Sequence, residues 1–135
     1  MSTLTKVLER NISQIEKNAN MKEGRFRLGH HLMPPVGWLN DPNGLCWYKG
    51  RYHVFFQYAP FDVEGGLKFW GHYTSEDLLD WKYEGTALYP DSSYDCHGVY
   101  SGSSLIDQDK MHLFFTGNVK IDGDYDYINE GRETS

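Results

Sequence analysis

The sequence has few cysteines, no long apolar run and no N-terminal export signal, and each absence excludes a class of protein. Cys46 and Cys96 lack a C-x-x-C spacing, so neither a zinc site nor a disulfide framework is indicated, and we expect reduced, packed thiols. No run of about eighteen apolar residues predicts a transmembrane helix. The N-terminus has no apolar segment followed by a cleavage site. We therefore expect a cytoplasmic protein with no membrane partner.

Basic residues are also scarce. The chain has 13 Lys and Arg against 19 Asp and Glu, which gives a net charge of −6, and no block of basic residues occurs. Nucleic-acid binding needs a basic stripe, so nucleic acid is not expected as a partner. Aromatic residues, in contrast, are abundant at 16%. Such a composition favours β-structure and suits stacking on sugar rings.

The pattern of apolar residues changes near Arg25. Residues 2–20 predict one amphipathic helix that ends near Asn18 to Asn20, because five apolar residues recur close to helical spacing: Leu4, Val7, Leu8, Ile12 and Ile15. From Arg25 onward, short aromatic and β-branched runs alternate with Gly, Asn, Asp and Pro. These runs predict strands.

The predicted strands form hairpins, and two of the hairpins repeat. The pairs are 45–48 with 51–58, 68–75 with 81–84, and 100–106 with 111–116. R-Y-H-V-F-F at 51–56 matches K-M-H-L-F-F at 110–115 with an offset of 59 residues. This repeat predicts successive blades of a β-propeller, and a sandwich of irregular hairpins is the alternative.

The repeat also bears on the six histidines and on the acidic segment 121–127. His53 and His112 are equivalent strand positions, and no H-x-x-x-H or H-E-x-x-H spacing occurs, so we expect packing and no metal. The segment 121–127 lacks the Gly and Glu positions of an EF-hand loop. A solvated loop is expected there.

The segment G-W-L-N-D-P-N-G at 37–44 contains the most informative carboxylate. Asp41 to Gly44 match the preferences of a type I β-turn, and Pro42 is expected to keep Asp41 extended. The repeat offset maps position 41 onto position 100, so the segments 40–42 and 100–102 occupy equivalent places, at or just before the first strand of their blades. Since the first strand of each blade lines the channel, we expect Asp41 to converge with Tyr100 and Ser101 on one pocket.

Five motifs in order resemble the invertase-type glycoside hydrolases, specifically β-fructofuranosidases of the sucrose-6-phosphate hydrolase kind. They are P-P-V-G-W-L-N-D-P-N-G-L at 34–45, F-F-Q-Y-A-P at 55–60, F-W-G-H-Y at 69–73, S-E-D-L-L-D-W at 75–81, and V-Y-S-G-S at 99–103. The resemblance runs from about residue 25 to the end of the sequence. It implies a five-bladed β-propeller that is normally followed by a β-sandwich domain.

The resemblance implies that residues 25–135 are all-β and form a first blade with part of a second, and the helical segment predicted from the apolar spacing, at 1–24, precedes them. The resemblance makes Asp41 the nucleophile. It also implies contacts with fructose from Leu39, Asn40, Pro42, Gln57, Tyr100 and Ser101. The expected ligand is a small sugar, sucrose or sucrose 6-phosphate, and no cofactor or metal is expected.

The chemistry of a retaining glycosidase explains these residue types. One carboxylate attacks the anomeric carbon, and a second protonates the leaving oxygen and then activates water. Asp41 must be ionised to attack, and Asn40 is an available hydrogen-bond donor. Gln57 and Ser101 can bond sugar hydroxyls, and an aromatic ring, that of Tyr100 or Trp70, can cover the apolar face of the sugar.

The sequence also departs from the family. Gly65 stands where many relatives have Trp, in an E-W-G-N context. The R-D-P and E-C motifs, which carry the transition-state-stabilising Asp and the acid/base Glu, do not occur up to Ser135. Four other acids could replace the missing Glu, but all are expected to be exposed loop residues: Glu64, Asp91, Asp95 and Asp124.

Two functions remain open. The first is a β-fructofuranosidase whose full-length form contains this segment, in which case the 135 residues alone are expected to be inactive. The second is a non-catalytic carbohydrate-binding remnant, or an inactive fragment, that keeps half of a fructose subsite. The choice between free and phosphorylated sucrose, and between hydrolysis and fructosyl transfer, stays open.

Overall fold

A computed structural model describes residues 2–19 and 27–135. The start of the strand region at Arg25, and the boundary drawn between residues 24 and 25, lie outside the described residues. The elements are α1 (Thr3–Asn18), β1 (Trp38–Tyr48), β2 (Arg51–Ala59), β3 (Phe69–Ser75), β4 (Trp81–Leu88), β5 (Val99–Asp107), β6 (Lys110–Lys120) and β7 (Arg132–Thr134). The predicted composition, mostly strand with one helix, is confirmed.

The strands form two antiparallel sheets. The first has the order β1-β2-β3-β4, and the second has the order β5-β6-β7. The three predicted hairpins are present, because Tyr48 pairs with Arg51, Ser75 with Trp81, and Asp107 with Lys110. Two features differ from the prediction: β1 begins at Trp38 instead of Leu45, and β7 was not predicted.

Both faces of the first sheet carry buried side chains. Side chains alternate along a strand, so Phe56 and Tyr58 on β2 share one face with Phe69 on β3, and Ile12 of α1 packs there. We call this side of the sheet the helix face. The opposite side carries Phe55 and Trp70 and packs against Val99 and the β6 side chains Met111, Leu113 and Phe115. We call it the sheet interface.

Hydrogen bonds fix α1 to the rest of the chain near both of its ends. Near its start, the Thr5 hydroxyl donates to the carboxylate of Asp91. In its last turns, the carboxylate of Glu16 accepts bonds from the hydroxyls of Tyr58 at 2.9 Å and Tyr83 at 2.8 Å. The helix therefore covers the helix face in a fixed orientation.

The apolar residues of α1 contribute unequally to the core. Ile12 is buried and Leu8 packs against the same cluster, but Leu4 and Val7 are 49% and 50% exposed. The predicted apolar side is thus wrong for these two residues, because only part of the helix circumference meets the sheet. Among the described residues, α1 is neither long nor apolar enough to span a bilayer.

The two cysteines are free thiols in different surroundings. Cys46 is half-buried on β1, whereas Cys96 is exposed. The expectation of packed thiols is wrong for Cys96, because it lies in the surface turn that precedes β5.

Candidate functional site

Asp41 lies in a β-bulge within β1. Asn40 pairs with Gln57 and Pro42 pairs with Phe56, so Asp41 has no partner on β2. The predicted type I turn is therefore wrong, since pairing with β2 continues on both sides of the segment. The predicted extended conformation is also wrong: Asp41 has a φ of 37°, in the left-handed region that Asp tolerates better than most residues.

Asn43 stabilises the backbone of this bulge. Its side-chain amide donates to the carbonyl oxygen of Asp41 at 2.8 Å, and the residue is buried. Sequence reasoning missed Asn43, although Asn side chains often bond backbone groups nearby in the chain. The bulge is thus held by a side chain from its own strand, and the Asp41 carboxylate stays exposed.

Ser101 contacts the Asp41 carboxylate from the second sheet. Its hydroxyl donates to Asp41 Oδ2 at 2.9 Å. Ser101 also lies in a bulge, because Tyr100 pairs with Thr116 and Gly102 with Phe115. The expected convergence of the two segments is observed. Within the described part of the chain, Ser101 is therefore the side chain that donates to Asp41, instead of the Asn40 that the sequence suggested.

The residues beside this pair differ in their accessibility. Gln57 lies opposite Asn40 and is 5% exposed. Tyr100 is half-buried, and its carbonyl accepts a bond of 3.1 Å from the indole N–H of Trp70. Trp70 is 0% exposed, so the expectation that its ring covers a sugar is wrong. Its indole instead joins β3 to β5 beside Ser101.

Leu39 and Pro42 are not part of the Asp41–Ser101 contact. Leu39 pairs with Tyr58 and packs into the cluster on the helix face. Pro42 is exposed and lies opposite Phe56. The side chain of Leu39 is thus part of the core on the helix face, whereas Pro42 lies at the surface beside Asp41.

The four alternative acids occupy other places. Asp91 and Asp95 line a separate cavity of about 510 Å³ next to α1 and β4. Asp95 is buried, contrary to expectation, and burial raises the pKa of its carboxyl. Glu64 and Asp124 are exposed. Within the described part of the chain, none of the four bonds to Asp41 or Ser101.

Metal ligands are not clustered in the described residues. Across 2–19 and 27–135, no group of three or more His, Cys, Asp or Glu side chains is arranged to hold a metal ion. His53 and His72 stack on each other, with their rings 5.1 Å apart. The groups around Asp41 are the hydroxyl of Ser101 and the side-chain amides of Asn40, Asn43 and Gln57.

Comparison with known proteins identifies the family. Residues 31–131 match the N-terminal domain of glycosyl hydrolases family 32. The sucrose-6-phosphate hydrolase of Bacillus subtilis is 56% identical over 90 residues, which are 67% of this chain and 19% of that protein. The raffinose invertase of Escherichia coli is 47% identical over 110 residues, which are 82% of this chain and 23% of that protein.

Solved structures agree with this match. A β-fructofuranosidase from Bombyx mori superimposes with a TM-score of 0.81 and 34% identity, over 96% of this chain and 26% of that protein. A sucrose-6-phosphate hydrolase from Lactobacillus gasseri superimposes with a TM-score of 0.73 and 38% identity, over 84% of this chain and 23% of that protein. The chain spans about a fifth of the length of the curated relatives it matches. It belongs to glycosyl hydrolase family 32, through the N-terminal domain of that family.

Proposed function

We propose that this chain provides the nucleophile and part of the fructose subsite of a retaining β-fructofuranosidase. The proposed substrate is the terminal β-D-fructofuranoside of sucrose or sucrose 6-phosphate. The observation that carries the proposal is the bond between Ser101 and Asp41, which joins two bulged strands from different sheets. The relatives reported above, a hydrolase and an invertase, favour an enzyme over a carbohydrate-binding remnant.

In this proposal, the two sheets are blades of a five-bladed propeller. The four-stranded sheet is the first blade and the three-stranded sheet is part of the second, so residues 25–135 belong to the catalytic propeller and residues 1–24 precede it. The contact between β1 and β5 supports this arrangement, because the first strands of adjacent blades lie side by side around a channel. Asp41 and Ser101 lie at the bulges of these two strands.

The proposed role of Asp41 is nucleophilic attack. One carboxylate oxygen bonds to the anomeric carbon of fructose as the glycosidic bond breaks, and the leaving oxygen takes a proton from a second carboxylic acid. Water then releases fructose from the covalent intermediate. Ser101 orients the attacking carboxylate, while Asn40, Gln57 and Tyr100 are proposed to contact the sugar.

We expect the 135 residues alone not to hydrolyse sucrose. In the described residues, none of the four candidate acids bonds to Asp41 or Ser101, and a retaining mechanism needs two carboxyl groups about 5–5.5 Å apart. Release of glucose from sucrose by the purified chain, abolished by Asp41→Asn, would contradict this expectation.

A chimera tests the proposed nucleophile. The 90-residue segment of this chain that matches the Bacillus subtilis relative replaces its counterpart in that protein, and turnover of sucrose and sucrose 6-phosphate is measured. Asp41→Asn should lower kcat by at least about a thousandfold, because the covalent path is lost. Asp107→Asn, at an exposed carboxylate on β5, is the matched control and should leave kcat unchanged. A chimera that keeps turnover with Asp41→Asn would reject the role of Asp41.

A further inference from the structure

The second sheet has an exposed apolar face on the side that points away from the first sheet. The two sheets pack against each other through the sheet interface, so each has one outward face. On the second sheet this face carries Leu105 and Phe114, each 55% exposed. Leu105 pairs with His112, and Phe114 follows His112 by two residues on β6, so all three side chains project to the same side. We call this surface the free face.

The helix face of the first sheet contains an apolar groove. Its volume is about 260 Å³, and the residues that line it include Leu45, Trp47, Tyr52, Val54 and Leu78. Trp47 pairs with Tyr52 across β1 and β2, and the centres of the two rings are 4.5 Å apart. Leu45, Trp47 and Leu78 are each more than half exposed. We call this surface the open groove. Neighbouring apolar side chains that are this exposed are typical of a surface that binds another protein chain.

The repeat of 59 residues extends to the pairing of the strands. Cys46 pairs with His53 on the first sheet. Leu105, which follows Cys46 by 59 residues, pairs with His112 on the second sheet. The hairpin of β1 and β2 is therefore equivalent to the hairpin of β5 and β6 in structure as well as in sequence. Each face of one sheet thus has a defined counterpart on the other.

The free face and the open groove are the counterparts of the two faces that meet in the sheet interface. Phe55 packs there from the first sheet, and its counterpart Phe114 lies on the free face. Met111 packs there from the second sheet, and its counterpart Tyr52 lines the open groove. The free face therefore matches a surface that a sheet already covers, and the open groove matches the surface that covers it.

We propose that a second copy of this chain binds head to tail, with the free face of one copy on the open groove of the next. This contact repeats the sheet interface, because it joins the counterparts of the same two faces. It is heterologous, since the two surfaces differ, and such a contact forms a ring when its rotation closes. Each copy has two sheets, so two copies supply four sheets and three copies supply six. Both numbers lie within the range of about four to eight blades that propellers have.

Analytical ultracentrifugation of the purified 135-residue chain over a range of concentrations tests the proposal. The unaltered chain should form a species of two or three copies that dissociates on dilution. Phe114→Asp on the free face and Trp47→Asp in the open groove should each weaken the association at least about thirtyfold, the effect of losing an aromatic hot spot. Val63→Asp, at an exposed apolar residue between β2 and β3, is the matched control and should associate like the unaltered chain.

A mixture of the two variants distinguishes head-to-tail binding from a symmetric dimer. Each variant keeps one intact surface, so Phe114→Asp and Trp47→Asp should form a one-to-one dimer when mixed, although each is monomeric alone at the same concentration. A symmetric dimer through a single surface would persist in one of the two variants alone and would overturn the proposal. Circular dichroism and urea unfolding establish that each variant is folded.

The alternative occupants of the two surfaces are further blades of a longer chain. A folded, unaltered chain that stays monomeric at every concentration would overturn binding to a second copy and leave the surfaces to such blades. Neither outcome bears on the role of Asp41, because loss of turnover with Asp41→Asn in the chimera does not depend on Phe114 or Trp47.

Discussion

Lowering the pH from 7 to 5 should destabilise the fold through a pair of histidines in the first sheet. His53 Nδ1 and His72 Nε2 lie 2.9 Å apart, and His53 Nε2 donates to the carbonyl of Tyr48 at 3.2 Å. His72 also stacks on Phe55 with ring centres 4.3 Å apart. The short distance between the nitrogens accommodates one shared hydrogen, so two protonated rings cannot keep this contact.

The size of the effect follows from His72. Burial, together with the neighbouring His53, lowers the pKa of His72 from 6.5 to about 4, while Glu84 acts in the opposite direction. The unfolded chain therefore binds a proton between pH 6.5 and pH 4 that the folded chain does not. The resulting stabilisation is present above pH 6.5 and is lost as the pH falls toward 4. Because the ring is only half-buried, we expect the free energy of unfolding to fall by about 1 kcal/mol between pH 7 and pH 5.

Urea unfolding of the purified chain, followed by tryptophan fluorescence at pH 5 to 7, measures this loss. Most carboxylates stay ionised over this range, so their contribution is small. His72→Gln should remove most of the pH dependence, whatever it does to the stability at pH 7. His112→Gln, at an exposed histidine on β6, is the matched control and should retain the pH dependence. An equal pH dependence in His72→Gln and the unaltered chain would refute the reasoning.

Two other predictions concern the site and the helix. In the chimera, Ser101→Ala should lower kcat/KM about tenfold, because the charged carboxylate of Asp41 loses a hydrogen bond from the Ser101 hydroxyl. Ser103→Ala on the same strand is the control and should change kcat/KM little; equal losses in the two variants would contradict the orienting role. Burial and the carboxylate of Glu16 raise the pKa of Tyr83 above its ordinary value of 10.0, so the stability that its neutral hydroxyl provides should be lost as the pH rises above 10. Tyr83→Phe should weaken this alkaline destabilisation in urea unfolding, and an unchanged pH dependence would contradict it.

The hairpins could be predicted because the residues that determine them, in the turns and in the flanking strands, are close together in the sequence. Lys49 and Gly50 both have positive φ in the turn between β1 and β2, and the apolar residues of β2 and β6 alternate or cluster as strands require. The offset of 59 residues was sufficient to place β5 beside β1, since repeated hairpins form repeated layers. The sequence thus predicted which segments would meet near Asp41.

The bulges and the helix contacts could not be predicted in the same way. N-D-P-N-G has the composition of a turn, and only its pairing with Phe55 and Phe56 on β2 shows that it is a bulged strand. The exposure of Leu4 and Val7 depends on how much of α1 the sheet covers, which is a tertiary property. Lys68 and Lys120 are far apart in sequence and line one cavity only because the two sheets pack together.

The bulge at Asp41 follows from the two faces of the first sheet. Leu39 pairs with Tyr58 and Asn40 with Gln57, so an unbroken register would pair Asp41 with Phe56 and direct its side chain to the helix face. A charge buried there would be costly without a partner. Because Asp41 is the extra residue of the bulge, Pro42 pairs with Phe56 in its place, and the carboxylate of Asp41 stays exposed.

The same reasoning applies to Ser101 on the second sheet. An unbroken register would pair Ser101 with Phe115, which packs at the sheet interface, but the bulge gives that pairing to Gly102. A Cβ on Gly102 would lie 1.9 Å from the carbonyl oxygen of Phe114, so a residue with a side chain does not fit at this position. Each bulge therefore removes one polar residue from an apolar face. Because the two bulged strands are in contact, the displaced hydroxyl meets the displaced carboxylate, and the proposed catalytic contact arises from the same requirement that keeps both faces apolar.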